Sequence, residues 1–282
     1  MIEVRMNLGS SGAAAPELAR CLLEKNGIRG QDIAQKNEKG RCYLSVYVKS
    51  ARGAGTVRAA MRSSGLKGIS VSLVRLKDSD WKTRWKKYVV PFRITPEIRV
   101  VPVWNRGFRR ATADSILIDT TLAFGTGLHA TTRMMAGLIR ERRGDLGNFL
   151  DIGAGSGILS VIASRYGAGT ITAIDNDPHT VKTCRRNLAM NYCKGKVMAR
   201  DLADFRPGRR FDFVAANLLT EDLVRLRSRL VPLVTPGGYL AVSGIYFENY
   251  ASFRRRFKAA NLVCRKVLRQ KKWYALLFRK TA

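Results

Sequence analysis

The chain is expected to fold as an α/β protein: a nucleotide-binding, mostly parallel α/β domain over residues 116–282, preceded by a small ferredoxin-like α+β domain over residues 1–78. Residues 79–115 form a basic linker and entry strands between them. Three observations carry this expectation. Phe149–Gly157 reads Phe-Leu-Asp-Ile-Gly-Ala-Gly-Ser-Gly, an apolar run that ends in an acid and breaks into alternate glycines. From Phe149 onward, strand-length apolar runs alternate with helix-like stretches, as βα units around a parallel sheet do. Residues 1–78 read in the order βαββαβ.

In the first domain, Ile2–Leu8 alternates like a strand. Ala13–Asn26 reads as a helix, with Pro16 in its first turn, apolar positions at Leu18, Leu22 and Leu23, and Asn26-Gly27 to end it. A strand is expected near Asp32–Gln35, and Cys42–Val48 is rich in β-branched and aromatic residues. Thr56–Ser64 is helical and stops at Gly65; Ile69–Leu76 alternates again. Nothing here looks catalytic, so a binding role is expected. Asp80–Lys87 follows as a short basic helix with Trp81 and Trp85 on one face, where packing is favoured over nucleic-acid stacking. Val89–Trp104 carries Pro91, Pro96 and Pro102 between apolar residues, which suits short edge-like strands or a stiff connector.

In the second domain, Thr131–Arg140 is helical. Phe149–Asp151 begins the first strand of the alternation, Ile158–Tyr166 is its helix, and Ala173-Ile174-Asp175 ends the second strand. Val181–Met190 is a helix, Lys196–Ala199 a strand, and Phe211–Ala216 an almost wholly apolar strand. Leu223–Val234 reads as a helix stopped by Pro236-Gly237-Gly238. Tyr239–Ser243 is a strand, Tyr250–Ala260 a basic helix, and Val263–Leu268 with Trp273–Phe278 a closing antiparallel pair.

Composition narrows the setting. With 282 residues, 46% of them apolar, the chain can form two modest domains. No apolar run approaches the ~18 residues of a membrane span, and the first residues lack the plan of a signal peptide. Five cysteines are scattered without a C-x-x-C, beside only two histidines. No metal site is expected, and a reduced, cytoplasmic setting is. The net charge of +30 is distributed as +7 over residues 1–80, +7 over 81–115 and +16 over 116–282. Such a field attracts polyanions; a generally basic surface is the plainer reading.

The glycine turn excludes two ligand classes. A dinucleotide fingerprint is G-x-G-x-x-G, but here the third glycine comes one residue early, and no Lys-Ser/Thr pair follows as in a P-loop. Asp151, just before the glycines, would not help bind a pyrophosphate. It suits a ligand with a cationic end, such as the amino group and sulfonium of S-adenosylmethionine. Asp175 stands at the end of the second strand, where a carboxylate accepts from both ribose hydroxyls. Two more loops converge on that sheet edge. In Leu122–Thr132, Gly125 and Gly127 free the backbone, Thr131 and Thr132 can cap the next helix, and His129 is either functional or a loop histidine bonded to backbone. In Ala216–Leu219, Asn217 either bonds a ligand or caps a turn.

These runs together resemble the ribosomal protein L11 methyltransferases. The loop Phe-Gly-Thr-Gly-Leu-His-Ala-Thr-Thr looks like the family's Phe-Gly-Thr-Gly-x-His-x-Thr-Thr, and Asp-Ile-Gly-Ala-Gly-Ser-Gly-Ile-Leu, Ala-Ile-Asp-Asn-Asp-Pro, Val-Ala-Ala-Asn-Leu-Leu and Pro-Gly-Gly…Ser-Gly-Ile follow it. The resemblance covers residues 78–282 well and is vague before that. It implies a class I S-adenosylmethionine methyltransferase domain of Rossmann-like fold, with S-adenosyl-L-methionine as cofactor. The substrate it implies is ribosomal protein L11, methylated on lysine side chains, its N-terminal amine or both, after recognition by the N-terminal domain. It also implies cofactor contacts from Thr132, Gly153, Asp175 and Asn217. Gly155 and Asp151 belong to the same turn, and Asn217 is the candidate for positioning the amine. Two departures stand out: Ala130 replaces a usual proline, and Asp119-Thr120-Thr121 replaces Asp-Pro-Gly. Asn217-Leu218-Leu219 also lacks the Asn-Pro-Pro-aromatic motif of adenine-N6 and glutamine methyltransferases. A monomer is expected, with rRNA nearby through the basic surface and no membrane partner. The alternatives are an RNA methyltransferase, or a basic ribosome- or RNA-binding protein with a vestigial cofactor site.

Overall fold

In the computed structural model, β1 (Ile2–Asn7) buries Val4 and Met6 and turns Arg5 outward, the alternation its sequence shows. The residues described are 2–8, 19, 23, 28, 33–38, 41–48, 50–62, 69–75, 90–105, 112–119 and 127–281. They divide into two units, Met1–Tyr88 and Val89–Ala282. In the first, β1 joins β2 (Ile33–Glu38), β3 (Arg41–Val48) and β4 (Ser70–Arg75) in an antiparallel sheet of order β2-β3-β1-β4. That is the ferredoxin-like order. Helix α1 (Ala51–Arg62) packs Ala54, Val57 and Met61 onto Val4, Met6 and Val46, together with Ala19 and Leu23. It starts before the expected Thr56. Gly53 and Gly55 weaken the local helix signal, but burial of Ala54 carries the helix through them. Of the helix expected over Ala13–Asn26, only Ala19 and Leu23 lie among the described residues, and both are helical. Trp81, Trp85, Thr120, Thr121, Phe124, Gly125 and Thr126 lie outside them.

The second unit opens with a small sheet. Strand β5 (Phe92–Arg93) pairs antiparallel with β6 (Arg99–Pro102), which pairs parallel with β7 (Ser115–Ile118). The prolines bound these strands: Pro91 precedes β5, Pro96 lies in the bend, and Pro102 ends β6. Residues 89–115, read from sequence as part of a linker, group by contact with this unit.

The main sheet has seven strands in the order β10-β9-β8-β11-β12-β14-β13. They are β8 (Asn148–Ile152), β9 (Thr170–Asp175), β10 (Gly195–Ala199), β11 (Phe211–Asn217), β12 (Val234–Tyr246), β13 (Leu262–Gln270) and β14 (Trp273–Lys280). The first five in this order run parallel, and β14 is inserted antiparallel between β12 and β13. From β8 the chain winds outward to β10, then returns to the other side of β8 as β11. The crevice between the carboxyl ends of β8 and β11 is therefore a topological switch point, where open α/β sheets bind ligands.

Both faces of the central strands are buried. Phe149, Phe213 and Ala215 face a core that includes Met135 and Leu138 of α2 (Ala130–Glu141), Val161 and Ile162 of α3 (Ile158–Arg165), and Val181 and Leu188 of α4 (Pro178–Met190). Leu150, Ile152, Val214 and Ala216 face the other core, with Leu223 and Phe253. Two helix expectations need correction. The helix read over Leu223–Val234 is broken at Leu226 into α5 (Thr220–Arg225) and α6 (Arg227–Leu230), then tightens into a 3₁₀ turn at Val231–Leu233, where Pro232 has no N–H to give. Pro236-Gly237-Gly238 does not stop a helix; it lies within β12, where the register against β11 slips between Phe211 and Phe213. The basic helix α7 is Tyr250–Arg256, shorter than expected, because Phe257 leaves the helix to bury its ring beside Phe253 and Phe278.

Candidate functional site

The site is built on the turn that leaves β8. Gly153, Gly155 and Gly157 all have positive φ, at 65°, 56° and 77°. At Gly153 the conformation disfavours L residues, and a Cβ would lie 2.5 Å from Leu218 Cδ2, so the tip of that side chain would have to turn aside. The turn is locked to β9, since the Gly153 and Ala154 N–H groups both donate to the Ile174 carbonyl, at 2.9 and 3.1 Å.

Asp175, at the tip of β9, accepts the Gly155 N–H on Oδ2 at 2.9 Å and the Asp177 N–H on Oδ1 at 3.0 Å. The backbone thus fixes the carboxylate in place. Each oxygen keeps a lone pair, so a pair of ribose hydroxyls can still be bound. Beside it lies a cleft of about 200 Å³, lined by Gly153, Ile174, Asp175, Asp201, Leu202 and Leu218 among others. Ile174, Leu202 and Leu218 suit a flat apolar ring, and Asp201 can accept from an exocyclic amine. Asp201 was missed from sequence. It follows β10 just as Asp175 ends β9, and an acid repeated at successive strand ends was the available signal.

Asp151 does not line this cleft. It is 1% exposed, and its Oδ2 accepts both the backbone N–H of Ser160 (3.1 Å) and the Ser160 hydroxyl (2.7 Å). Burial pushes its pKa up to about 6, opposed by the Ser160 hydrogen bonds and aided by the negative charge of Asp175. Its influence on a cationic ligand would therefore come through charge, from beneath the turn.

The loop before α2 departs from expectation. Thr131 and Thr132 are not the cap; they are buried residues of the first turn. His129 is the cap, with Nδ1 accepting the Thr131 N–H at 3.4 Å. Thr131 is engaged elsewhere: its hydroxyl meets His129 Nδ1 at 2.8 Å and the Asn217 Nδ2 group at 3.3 Å. That contact joins the His129 loop to the end of β11. The Thr132 hydroxyl is buried and has no partner among the described residues. An unsatisfied buried hydroxyl costs about 1–3 kcal/mol, and a bound ligand would relieve it.

Aromatic rings continue the wall from His129. Trp273 meets the imidazole in a T-shaped contact, with centroids 5.0 Å apart, and the Tyr246 ring centroid lies 5.2 Å from that of Trp273. Trp273 begins β14, which reaches the carboxyl edge of the sheet because it runs opposite to its neighbours. From sequence Trp273 was read only as the start of a strand, and Tyr246 was missed. Among the described residues no His/Cys/Asp/Glu group could hold a metal ion, and no helix is long and apolar enough to cross a membrane.

Residues 1–281 match the family model described as "Ribosomal protein L11 methyltransferase (PrmA)". The chain belongs to this family. Its relatives include the ribosomal protein L11 methyltransferase of Geobacter metallireducens, 36% identical over 73% of this chain and 68% of that protein. The one from Streptococcus pyogenes serotype M4 is 31% identical over 99% of this chain and 90% of its own length. Among solved structures, the ribosomal protein L11 methylase of Lactobacillus delbrueckii subsp. bulgaricus superposes with a TM-score of 0.61 at 26% identity, covering 69% of this chain and all of that one. The family match takes in the first unit, where the motifs alone were vague. As a family member the protein is an S-adenosyl-L-methionine-dependent methyltransferase of the class I, Rossmann-like fold. The fixed Asp175 carboxylate, the bare Gly153 backbone and the orphaned Thr132 hydroxyl fit that cofactor.

Proposed function

We propose that this protein methylates amino groups of ribosomal protein L11, on lysine side chains, the N-terminal amine or both. It works in the cytoplasm as a monomer, and its first unit recognises the substrate. The observation that carries the reading is the Thr131–Asn217 hydrogen bond, which joins the first turn of α2 to the end of β11, where Leu218 lies against Gly153 of the cofactor turn. In this reading Thr132, Gly153, Gly155, Asp175 and Asn217 hold S-adenosyl-L-methionine, Asp151 adds negative charge near it, and the Asn217 side chain also orients the acceptor amine. When bound, the cofactor supplies an electrophilic methyl group on a sulfonium. Asn217 would hold the acceptor nitrogen toward that methyl group, and the proton the amine gives up would pass to water. Alignment supplies much of the acceleration. A lysine amine, with pKa ~10.4 in water, must first become neutral; partial burial and the surrounding positive charge favour this.

A protein acceptor is supported by the apolar residues next to the site. Leu128 precedes His129, Leu219 follows Asn217 by two positions, and Phe247 follows Tyr246; they are 45%, 65% and 39% exposed. A nearby rRNA is supported by two clefts of about 530 and 730 Å³ flanking the loop 205–210. Arg206 and Arg209 line both, joined by Arg210 and Arg229 in one and Lys196 and Arg200 in the other. A +30 enzyme repels a basic free substrate at long range, and a polyanion beside the substrate would offset this. The buried thiols Cys184 and Cys193 suit a reducing compartment.

The test uses labelled S-adenosyl-L-methionine with free L11, L11 bound to rRNA, and rRNA alone. Label should enter L11 in both protein arms, faster with rRNA present and with that advantage lost as salt rises. Label in RNA alone sinks the proposal; equal rates with and without rRNA remove the rRNA contribution.

A further inference from the structure

Resting on the reading of Asn217 as the group that orients the amine, we propose that His129 and Thr131 form a hydrogen-bond relay. The relay holds the Asn217 side-chain amide with its carbonyl oxygen turned to the acceptor, which makes both residues positioning residues for methyl transfer.

The direction of each bond follows from the one before it. A backbone N–H can only donate, and His129 Nδ1 accepts that of Thr131 at 3.4 Å. Nδ1 therefore carries no proton. Burial, and after it the positive charge of Lys271, lowers the His129 pKa, so the imidazole is neutral at pH 7 with its proton on Nε2. The Nδ1 lone pair is shared with the Thr131 hydroxyl at 2.8 Å, which must be the donor. Having given its only proton, Thr131 Oγ1 can only accept from Asn217, at 3.3 Å. The Asn217 NH₂ group thus faces Thr131, and Oδ1 points away from the relay.

This orientation matters for the chemistry. A neutral amine has N–H bonds and one lone pair. If Oδ1 accepts one N–H, the lone pair is left to face the methyl carbon. An amide turned the other way would present its own N–H groups to those of the amine. Trp273 packs against the imidazole in a T-shaped contact, with ring centroids 5.0 Å apart, and so restrains the first member of the relay.

The tautomer is directly measurable. The chain has two histidines, His129 and His179, so ring carbon and nitrogen NMR shifts can be assigned with His129→Asn. At neutral pH, His129 should show the Nε2–H tautomer. The Nδ1–H tautomer overturns the relay whatever the enzyme methylates. Thr131→Val, of similar shape but without the hydroxyl, should lower kcat at least about tenfold while S-adenosylhomocysteine affinity in calorimetry is kept, and Thr131→Ser should recover turnover. Unchanged turnover in Thr131→Val, or equal losses in both variants, also overturns it. If the wild-type enzyme does not methylate L11, the functional proposal fails while the tautomer still decides the relay.

Discussion

Asp175→Ala should abolish measurable binding of S-adenosyl-L-methionine while the unit still folds. Both carboxylate oxygens are held by backbone N–H groups of Gly155 and Asp177, so the group reaches the ligand already oriented. Two charge-assisted bonds to ribose hydroxyls, at about 1.5–3 kcal/mol each, correspond to a loss of roughly 100-fold or more. The residue is only half-buried at a strand end, so the two N–H groups left behind can turn to water. Asp175→Asn, which keeps one acceptor, should fall between alanine and wild type. Titration calorimetry with S-adenosylhomocysteine reads the effect directly. Wild-type affinity in Asp175→Ala would mean that the ribose lies elsewhere.

Gly244→Ala should be as damaging, by a different route. Gly244 has φ of 94°, and a Cβ there would collide with the Leu218 carbonyl oxygen. Backbone on both sides leaves no side chain to swing aside. Leu218 is also tied to β12 through its N–H to Ser243 O at 3.1 Å, and the Thr220 hydroxyl bonds Gly244 O at 3.2 Å. The strain must therefore move the segment that carries Asn217. A displacement of about 1 Å costs roughly 100-fold in turnover. Gly237→Ala is the matched control: its φ is 79°, but nothing lies within 4 Å of a new Cβ. It should lose only the backbone term, about 1–2 kcal/mol, with turnover kept. If Gly244→Ala and Gly237→Ala behave alike in kcat and thermal midpoint, the Leu218 contact does not constrain the site.

What was legible in the sequence is what local pattern encodes. The turn at Gly153–Gly157 and the acid ending β9 announce themselves, because a chain leaving a buried strand for a ligand needs a bare backbone and a polar tip. Phe211–Ala216 is apolar apart from Asp212 because both faces of β11 are covered. What was hidden depends on partners distant in sequence. Thr131 looked like a cap because threonine is favoured at that position; its hydroxyl is instead committed to His129 and to Asn217, in a strand end far along the chain. The closing hairpin was visible, but not that β14 rather than β13 joins β12, and this is what brings Trp273 to the site. Pro236-Gly237-Gly238 signals a break without saying of what, and the chain continues through it as an irregular strand.

The acid beneath the glycine turn couples the fold to protons. Asp151 keeps its proton up to about pH 6, against 3.8 for an ordinary aspartate. Between those values the native state binds more protons than the unfolded chain. Stability therefore falls as pH rises through that window and levels off above it, by roughly 3 kcal/mol in all. Asp151→Asn can still accept from Ser160 and should remove the slope. Urea midpoints from pH 4 to 7.5 should diverge in favour of the variant as pH rises, and parallel curves would count against the account. A cationic cofactor held by the turn would draw the carboxyl back toward its ordinary pKa, so its binding near pH 6 would release a proton. The ionised state that burial alone disfavours would be the one a cationic cofactor selects.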